Sequence, residues 1–158
     1  LQNYIISVNL GDSRAILIKK NFQLKELTVD HKPFAPIEKK RIEKSKGIIT
    51  NNRINNDIAI SRALGDFRYK NQKTLKPHEQ LISNIPNINI HMRDGLEKYV
   101  ILSSDGVWDV FTNQQLVDYI NILQTKKIYD IKDISKNIVK ESFKRGNGDN
   151  TTFCIIKF

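Results

Sequence analysis

Two short segments near the start of the chain are mostly apolar and rich in residues that favour β-strands, a pattern typical of strands. The first segment covers residues 4–8 and the second covers residues 15–18, and the sequence between them is centred on Gly-Asp-Ser. Small and polar residues of this kind favour a tight connection. We therefore predict a β-hairpin over residues 4–18, with Asp12 at its tip.

Three more strand-like segments lie later in the chain, and the first of them alternates apolar with polar residues. Residues 88–92 and residues 98–102 are separated by Arg-Asp-Gly, so a second hairpin is expected there. The last segment, residues 151–158, also predicts a strand. Hairpins with few helices between them favour an antiparallel α+β architecture over repeated β-α-β units.

Helical signals occur in three places. Pro36 and Gly47 bracket a highly charged helix that should be largely exposed to solvent. Thr112 begins a capping-box sequence in front of apolar residues at helical spacing. Apolar residues recur at helical spacing over residues 131–143, and Gly146 suits the position after a helix end. We expect one helix at each place.

Two polar stretches interrupt these elements. Residues 48–60 contain short β-type pieces around an asparagine-rich sequence, which predicts an irregular excursion rather than a core element. Residues 66–84 show no clear periodicity. A segment of that length without regular structure is usually functional or mobile in a compact domain.

Size and composition predict one compact domain of 158 residues, 39% hydrophobic and 27% charged, as in soluble globular proteins. No apolar run is long enough to cross a bilayer. The net charge of +9 comes from lysines scattered along the chain, without a basic run interleaved with aromatic residues, so no nucleic-acid partner is expected. Cys154 cannot form an internal disulfide, and we expect it to pack as a small apolar residue.

Carboxylates converge on one predicted edge of the fold. Asp105 follows the apolar run at residues 99–102, and Asp149 precedes the last strand. If these strands belong to one antiparallel sheet, the end of the first and the start of the second lie at the same edge. Asp12 could join them from its hairpin tip, and Asp109 is close by along the chain. A hard divalent cation would relieve the repulsion among these carboxylates.

Each of these residues also has a purely structural interpretation. Asp105 precedes a glycine and could simply form a turn, and Asp149 could cap the turn into the last strand. Asp12 could bond to its own hairpin, and Asp109 could be a helix-entry residue. His31 is better explained as a structural histidine at a strand end than as an acid or base. The residues alone leave both interpretations open.

Five segments, taken together and in order, change this balance. They are Gly11-Asp-Ser-Arg-Ala, Asp30-His-Lys-Pro with Glu38 and Arg41-Ile42, Ile60-Ser-Arg-Ala-Leu-Gly-Asp66, Ser104-Asp-Gly-Val-Trp-Asp109, and Gly148-Asp-Asn150. In this combination the chain resembles the type-2C metal-dependent serine/threonine protein phosphatases over nearly its whole length. The third and fourth segments, at family-like spacing, make the resemblance specific.

The resemblance implies a sandwich of two antiparallel β-sheets flanked by helices, with a binuclear Mg²⁺ or Mn²⁺ centre at one end. In such enzymes a metal-activated water attacks phosphorus directly and no covalent phosphoenzyme forms. Asp105 and Asp149 match metal-ligating aspartates of the family. Asp12 and Asp109 match positions of a third metal. Residues 45–60 match the flap beside the family's substrate cleft.

The family's N-terminal half carries an Asp-Gly-His-Gly motif, whose aspartate bridges the metals, and an upstream arginine that binds phosphate. Neither occurs in this chain, which starts almost directly in a strand-like run. We therefore expect the chain to be the C-terminal portion of one catalytic domain, inactive and marginally stable alone. The alternative is a regulatory or interaction domain on the same scaffold.

For the intact protein, the resemblance implies phosphoprotein substrates and a monomeric state. We expect a cytoplasmic or nuclear location.

Overall fold

The computed structural model describes residues 3–158. This part of the chain forms eight strands and four α-helices, and it divides into two compact units. The first unit contains the described residues up to Ser7 together with Ser13–Thr28 and Asn89–Phe158, and the second contains Val8–Asp12 and Val29–Ile88. The elements in chain order are β1 (Tyr4–Asn9), β2 (Arg14–Lys19), β3 (Leu24–Glu26), α1 (Pro36–Lys44), β4 (Ile49–Thr50), β5 (Arg53–Ile54), 3-10 helices at Phe67–Tyr69 and Pro77–Glu79, β6 (Asn87–Met92), β7 (Glu97–Ser103), α2 (Asp105–Trp108), α3 (Asn113–Thr125), α4 (Ile131–Lys144) and β8 (Phe153–Lys157).

A four-stranded antiparallel sheet forms the centre of the first unit, with its strands in the order β3-β2-β7-β8. Ile101 of β7 pairs with Ile16 on one side and with Ile155 on the other. One face of this sheet packs against α3 and α4, because both helices carry an apolar stripe that is removed from water there. The core between them contains Ile16, Ile18, Tyr99, Ile101, Leu116, Val117, Ile120, Leu123, Ile134 and Ile138.

The opposite face of the sheet packs against β1, which pairs with β6 in a second sheet. Ala15, Leu17 and Val100 form this smaller core, and Ile5 of β1 packs against it. Helices and two stacked sheets confirm the predicted α+β sandwich.

The outer side of the β1–β6 sheet carries exposed apolar side chains. Alternate residues of β1 point away from the core, so that Tyr4 and Ile6 are each 48% exposed. On β6, Ile90 and Met92 are likewise exposed. We call these four residues the outer face. Such a row of large apolar side chains marks a surface that another element can cover.

The pairing of both predicted hairpins is wrong. β1 pairs with β6 rather than with β2, and β7 pairs with β2 and β8 rather than with β6. The connections after β1 and after β6 therefore carry the chain from one sheet to the other. Alternation reveals that a strand has one buried face, but it does not identify the partner strand.

The predicted helices all form. Thr112 caps α3, because its hydroxyl accepts a hydrogen bond from the Gln115 N–H at 3.2 Å. Asp130 caps α4 in a similar way through the Lys132 N–H. The short helix α2 was not expected. Cys154 is exposed, so the prediction that it packs as a small apolar residue is wrong. Within residues 3–158, no helix has both the length and the apolar character needed to cross a membrane.

The backbone and packing at the end of α1 explain why Gly47 stands there. Lys46, rather than Gly47, takes the left-handed conformation, with φ 62°. The Gly47 N–H donates to the Ile42 carbonyl at 2.9 Å, as in a Schellman motif. A Cβ on Gly47 would lie 2.4 Å from Leu81 Cδ2 and 2.7 Å from Ile42 Cγ2. Gly47 is therefore needed for close packing rather than for its backbone conformation.

The second unit has a smaller apolar core, formed by Ile42, Ile54, Tyr69 and Ile82. Its asparagine-rich segment, predicted as an irregular excursion, consists of two tight turns. Asn51 and Asn52, with φ 50° and 60°, connect β4 to β5. Asn55 and Asn56 form the next turn, with φ 50° and 57°. Asparagine tolerates this left-handed backbone better than most residues, so the sequence suits the geometry.

Candidate functional site

The segment that follows β7 begins the candidate site. Ser104 precedes α2, and Asp105 is the first residue of this short helix. Trp108 stabilises the connection between β7 and α2, because its indole N–H donates a hydrogen bond to the Ser103 carbonyl at 2.9 Å. Trp108 itself is buried in the core beneath α3 and α4. The apolar core thus anchors the backbone that carries Asp105.

The segment that precedes β8 is organised by Asn147. Its side-chain carbonyl accepts a hydrogen bond from the Asp149 N–H at 2.9 Å. Its amide donates to the Thr151 hydroxyl at 2.7 Å and to the Asp149 carbonyl at 3.0 Å. One carboxylate oxygen of Asp149 accepts a hydrogen bond from the Asn150 N–H at 2.6 Å. Asn147 therefore holds the loop that presents Asp149 at the protein surface.

These two segments are joined directly to each other. The Ser103 hydroxyl donates to the Thr152 carbonyl at 2.6 Å, and the Ser104 N–H donates to the same carbonyl at 3.1 Å. Ser103 also pairs with Phe153 at the end of the β7–β8 ladder. The predicted meeting of the end of one strand with the start of the other is therefore present.

Gly106 allows the close approach of the two segments. A Cβ at this position would lie 2.5 Å from the Asn150 carbonyl oxygen and 2.8 Å from the Thr151 hydroxyl. Any larger residue would push the Asp149 loop away from α2. The Asp-Gly pair in this sequence thus has a packing reason as well as the turn-forming role that the sequence suggested. Asp105 and Asp149 lie on two segments in contact at the same end of the sheet.

The other two predicted ligands are placed differently. Asp109 is exposed at the end of α2, where its N–H donates to the Asp105 carbonyl at 2.8 Å. Asp12 belongs to the second unit, and its carboxylate forms a 2.5 Å ion pair with Lys32. Its meeting with Asp105 and Asp149 stays a prediction. A metal at Asp12 would have to compete with the Lys32 ammonium group.

The carboxylates of Asp105 and Asp149 could supply some of the ligands of a site for a hard divalent metal ion. Carboxylate oxygens, such as those of Asp105 and Asp149, are the ligands that Mg²⁺ and Mn²⁺ prefer. Within residues 3–158, however, no group of three or more His, Cys, Asp or Glu side chains could hold a metal ion. The described residues therefore fit a metal centre only with further ligands from outside them.

A buried glutamate in the second unit is a feature that sequence reasoning did not assign. The carboxylate of Glu38 is only 3% exposed and accepts hydrogen bonds from three side chains. Arg62 donates to it through Nε at 3.0 Å and through a second nitrogen at 2.5 Å. Arg41 and the Ser61 hydroxyl donate at 2.5 and 2.7 Å. We call these four residues the Glu38 network.

The Glu38 network extends to His31 and the loop that carries Asp12. The Ser61 hydroxyl also donates to the His31 carbonyl at 2.8 Å. The Gly11 N–H donates to Nδ1 of His31 at 3.0 Å, which places the proton of the neutral ring on Nε2. His31 is 2% exposed and lies in the loop between β3 and α1 rather than at a strand end. Its Nε2 is buried and has no hydrogen-bond partner among the described residues.

Burial and charge set the ionisation of this network. Burial by itself would raise the pKa of Glu38, but hydrogen bonds from Arg62 and Ser61 and the charge of Arg41 lower it from 4.5 to about 2. Burial lowers the pKa of His31, and the charge of Arg62 lowers it further. At neutral pH the Glu38 network therefore contains one ionised carboxylate and two guanidinium groups, and the imidazole of the neighbouring His31 is neutral.

Only part of this network could have been found by spacing. Glu38 and Arg41 are three residues apart, a spacing that brings side chains together on a helix. Ser61 and Arg62 are more than twenty residues further on, in a segment without regular structure. Their meeting with Glu38 has no signal in the local sequence pattern.

The chain is similar to known proteins over almost its full length. A family model described as Protein phosphatase 2C matches residues 2–151. The chain is 36% identical over 155 residues to Protein phosphatase 1B of Rattus norvegicus, a match that covers 98% of this chain and 39% of that protein. It is also 36% identical over 159 residues to Protein phosphatase 2C homolog 2 of Schizosaccharomyces pombe, with 98% and 43% covered.

The fold has a close match among solved structures. A phosphatase from a pathogenic strain of Toxoplasma gondii superposes with a TM-score of 0.90 at 28% sequence identity. The match covers 98% of this chain and 48% of that structure. The chain thus spans less than half the length of each of these three similar proteins.

Proposed function

We propose a function from one premise: the chain belongs to the protein phosphatase 2C family. We infer that the intact protein removes phosphate from phosphoserine and phosphothreonine in other proteins. Water attacks the phosphorus directly, and no covalent phosphoenzyme forms. The protein uses Mg²⁺ or Mn²⁺, two ions in the intact catalytic domain with a third at Asp12 and Asp109. This chain supplies one part of that domain.

Asp105 and Asp149 are the residues that we assign to the metals. When bound, the ions supply positive charge that lowers the pKa of a water molecule and offsets the charge of the phosphoryl group. The chain's own contribution is to hold two carboxylates at fixed positions. Asp105 is held by the buried Trp108, and Asp149 is held by Asn147.

The observation that carries this proposal is the contact around Gly106. A site that needs two ligands from two segments requires those segments to be fixed against each other. The space for a Cβ on Gly106 is already filled by the Asn150 carbonyl and the Thr151 hydroxyl. This packing supports a shared role for Asp105 and Asp149, because a simple turn at each residue would not need it.

We further propose that activity requires a segment that precedes this chain in the intact protein. Asp105 and Asp149 alone are too few ligands for a binuclear centre. The relatives are more than twice as long as this chain. The outer face of Tyr4, Ile6, Ile90 and Met92 offers an apolar surface on which such a segment can pack.

The direct test compares three carboxylate-to-amide variants of the intact protein. Asp105→Asn and Asp149→Asn should each lower Mn²⁺-dependent phosphate release from a phosphoserine peptide by about 100-fold or more, because several kcal/mol of charge stabilisation is lost. Titration calorimetry should show weaker Mn²⁺ binding by the same variants. Asp118→Asn, on the exposed side of α3, is the matched control and should retain both properties.

Two outcomes would reject the proposal. Full activity in either variant would remove that aspartate from the site. A folded intact protein that binds no Mn²⁺ and releases no phosphate would favour the alternative, a regulatory or interaction domain on the same scaffold.

A further inference from the structure

A cavity of about 500 Å³ opens on the surface of the second unit. None of the four candidate metal-binding aspartates lines it. Its volume lies within the range of pockets that bind small ligands or side chains of a partner. Its walls come from one face of α1, from the second 3-10 helix and from the segments around Arg62 and Ile85. The lining residues are Ile37, Lys40, Arg41, Lys44, Arg62, His78, Glu79, Ser83 and Ile85.

The Glu38 network gives this cavity a positive wall. Arg41 and Arg62 both line the cavity, and both are bonded to the single carboxylate of Glu38. Because the pKa of Glu38 is held at about 2, this carboxylate carries one negative charge at neutral pH. One carboxylate cannot neutralise two guanidinium groups. An uncompensated positive charge therefore remains in a partly desolvated position, where it acts more strongly than at the open surface.

Two lysines add to this charge from the rim. Lys40 and Lys44 lie one turn apart on the same face of α1. The Lys44 side chain is 72% exposed and has a loose 3.4 Å contact with Glu79. An exposed pair of this length contributes little, so the lysine can turn toward another anion at small cost. The cavity thus has four cationic side chains facing two carboxylates, those of Glu38 and Glu79.

An apolar contribution accompanies the charge. Ile37 precedes Lys40 and Lys44 on the same face of α1, and its side chain is 76% exposed. Ile85 stands on another wall of the cavity and is 46% exposed. A nucleic-acid surface would be expected to combine cations with Phe, Tyr or Trp, and none of these is among the described residues that line this cavity. Aliphatic side chains beside lysines are better suited to a peptide that carries both apolar and acidic residues.

We propose that this cavity is a docking site for an acidic peptide segment of a partner protein. Carboxylate or phosphate groups of the segment contact Lys40 and Lys44, and an apolar side chain packs between Ile37 and Ile85. Arg41 and Arg62 attract the segment through their field rather than through direct bonds, since their donors already serve the Glu38 carboxylate and backbone carbonyls. This binding is separate from phosphate hydrolysis.

Fluorescence anisotropy with the intact protein tests the proposal. The probe is a fluorescein-labelled nonapeptide with one central leucine flanked by glutamates, and a second probe replaces one glutamate by phosphoserine in the presence of EDTA. The glutamate peptide should bind, and a rise from 50 to 300 mM NaCl should weaken it severalfold because the contacts are ionic. The phosphoserine probe should bind at least as tightly as the glutamate peptide, because a phosphate group carries more negative charge than a carboxylate. Weaker binding of the phosphoserine probe would contradict ionic contacts with Lys40 and Lys44. A glutamine version should not bind.

Matched variants locate the binding. Lys40→Glu with Lys44→Glu should weaken the glutamate peptide by about tenfold or more, since two attractive contacts become repulsive. Lys39→Glu with Lys46→Glu reverses as many exposed charges next to the cavity and should change binding less than about twofold. Ile37→Ser should weaken binding by about fivefold at both salt concentrations, because it removes an apolar contact.

Three results would overturn the proposal. One is equal weakening by the two lysine double variants, which would indicate binding to overall positive charge. Another is tighter binding of an oligothymidylate than of the glutamate peptide, which would indicate a nucleic-acid surface. The third is unchanged binding in all these variants. Each readout is independent of catalysis, so an inactive protein would leave the docking result intact.

Discussion

The two compact units each bury a glutamate, and they hold it in opposite ways. In the first unit, Glu97 is 1% exposed and accepts hydrogen bonds from the N–H groups of Asp94 and Gly95, at 2.9 and 3.1 Å, and lies 3.1 Å from His91. All of these partners lie within six residues of it. In the second unit, Glu38 is held by Arg62 and Ser61, which are more than twenty residues away.

This difference shows how each unit is stabilised. The first unit has a large apolar core between a sheet and two helices, and its buried glutamate closes a local turn. The second unit has a small apolar core and few regular elements, so distant segments are tied together through one carboxylate. We infer that the second unit depends on charge pairing to a degree that the first does not.

The largest expected effect comes from Glu38→Gln. The substitution removes the buried negative charge and leaves two guanidinium groups without compensation, which should cost about 3–5 kcal/mol. Amide hydrogen exchange read by mass spectrometry should show the loss of protection mainly in residues 29–88. Glu43→Gln, on the exposed side of the same helix, should change stability by less than about 0.5 kcal/mol.

Glu97→Gln sharpens the comparison. The N–H groups of Asp94 and Gly95 bond to different oxygens of Glu97, so the single amide oxygen of glutamine can keep only one of the two bonds. No pair of buried guanidinium groups is left uncompensated, so the loss should be smaller than at Glu38, about 1–3 kcal/mol. An equal loss for the two substitutions, or a larger one at Glu97, would contradict the idea that only the second unit depends on long-range charge pairing.

A smaller effect is expected from Gly47→Ala. The new Cβ would lie 2.4 Å from Leu81 Cδ2 and 2.7 Å from Ile42 Cγ2, so the side chains of Leu81 and Ile42 have to move. Overpacking of this kind usually costs about 1–3 kcal/mol. Thermal unfolding should detect it. Gly148→Ala has no heavy atom within 4 Å of the added Cβ and should change stability much less.

The smallest effect should appear on mild acidification. The pKa of His31 is lowered by burial and by Arg62, so the folded protein favours the neutral ring. The resulting stability is complete above the unfolded pKa of about 6.5 and is lost as the pH falls through the lower folded pKa, with a slope of at most about 1.4 kcal/mol per pH unit. His31→Asn retains an acceptor for the Gly11 N–H but does not titrate.

Chemical denaturation at a series of pH values measures this slope. The native protein should lose stability between pH 6.5 and pH 5.5, roughly the range in which a histidine begins to protonate. The His31→Asn variant should lose less over the same range. Equal slopes for the two proteins would show that His31 does not contribute.

The sequence was most informative where structure is local. The capping box at Thr112 and the apolar repeat from Ile131 predicted α3 and α4, because both signals lie within the helix itself. The strands were also found, but not their partners. Strand pairing depends on which apolar faces meet in the folded chain, and β1 pairs with a strand that is roughly 80 residues away.

In the candidate site, too, the local features could be predicted from the sequence and most of the long-range contacts could not. The sequence predicted that the segments carrying Asp105 and Asp149 meet, because the end of one antiparallel strand lies beside the start of its neighbour. The β7–β8 register brings these two segments side by side. The short helix α2 was not predicted because Gly106 is a poor helix former. A glycine is needed at this position because Asn150 and Thr151, which are distant in sequence, pack against it. Asp12 was placed at this edge through a hairpin whose predicted pairing is wrong, and its assignment to a third metal came from the family motif.

The long separation between β1 and β6 has a consequence during protein synthesis. A ribosome adds about 5–20 residues per second, so roughly 4–16 s pass between the synthesis of β1 and that of its partner. Throughout that time the edge of β1 that pairs with β6 in the folded protein has unpaired backbone hydrogen-bonding groups. Because unpaired strand edges can pair with other chains, this interval exposes the nascent chain to non-native strand pairing.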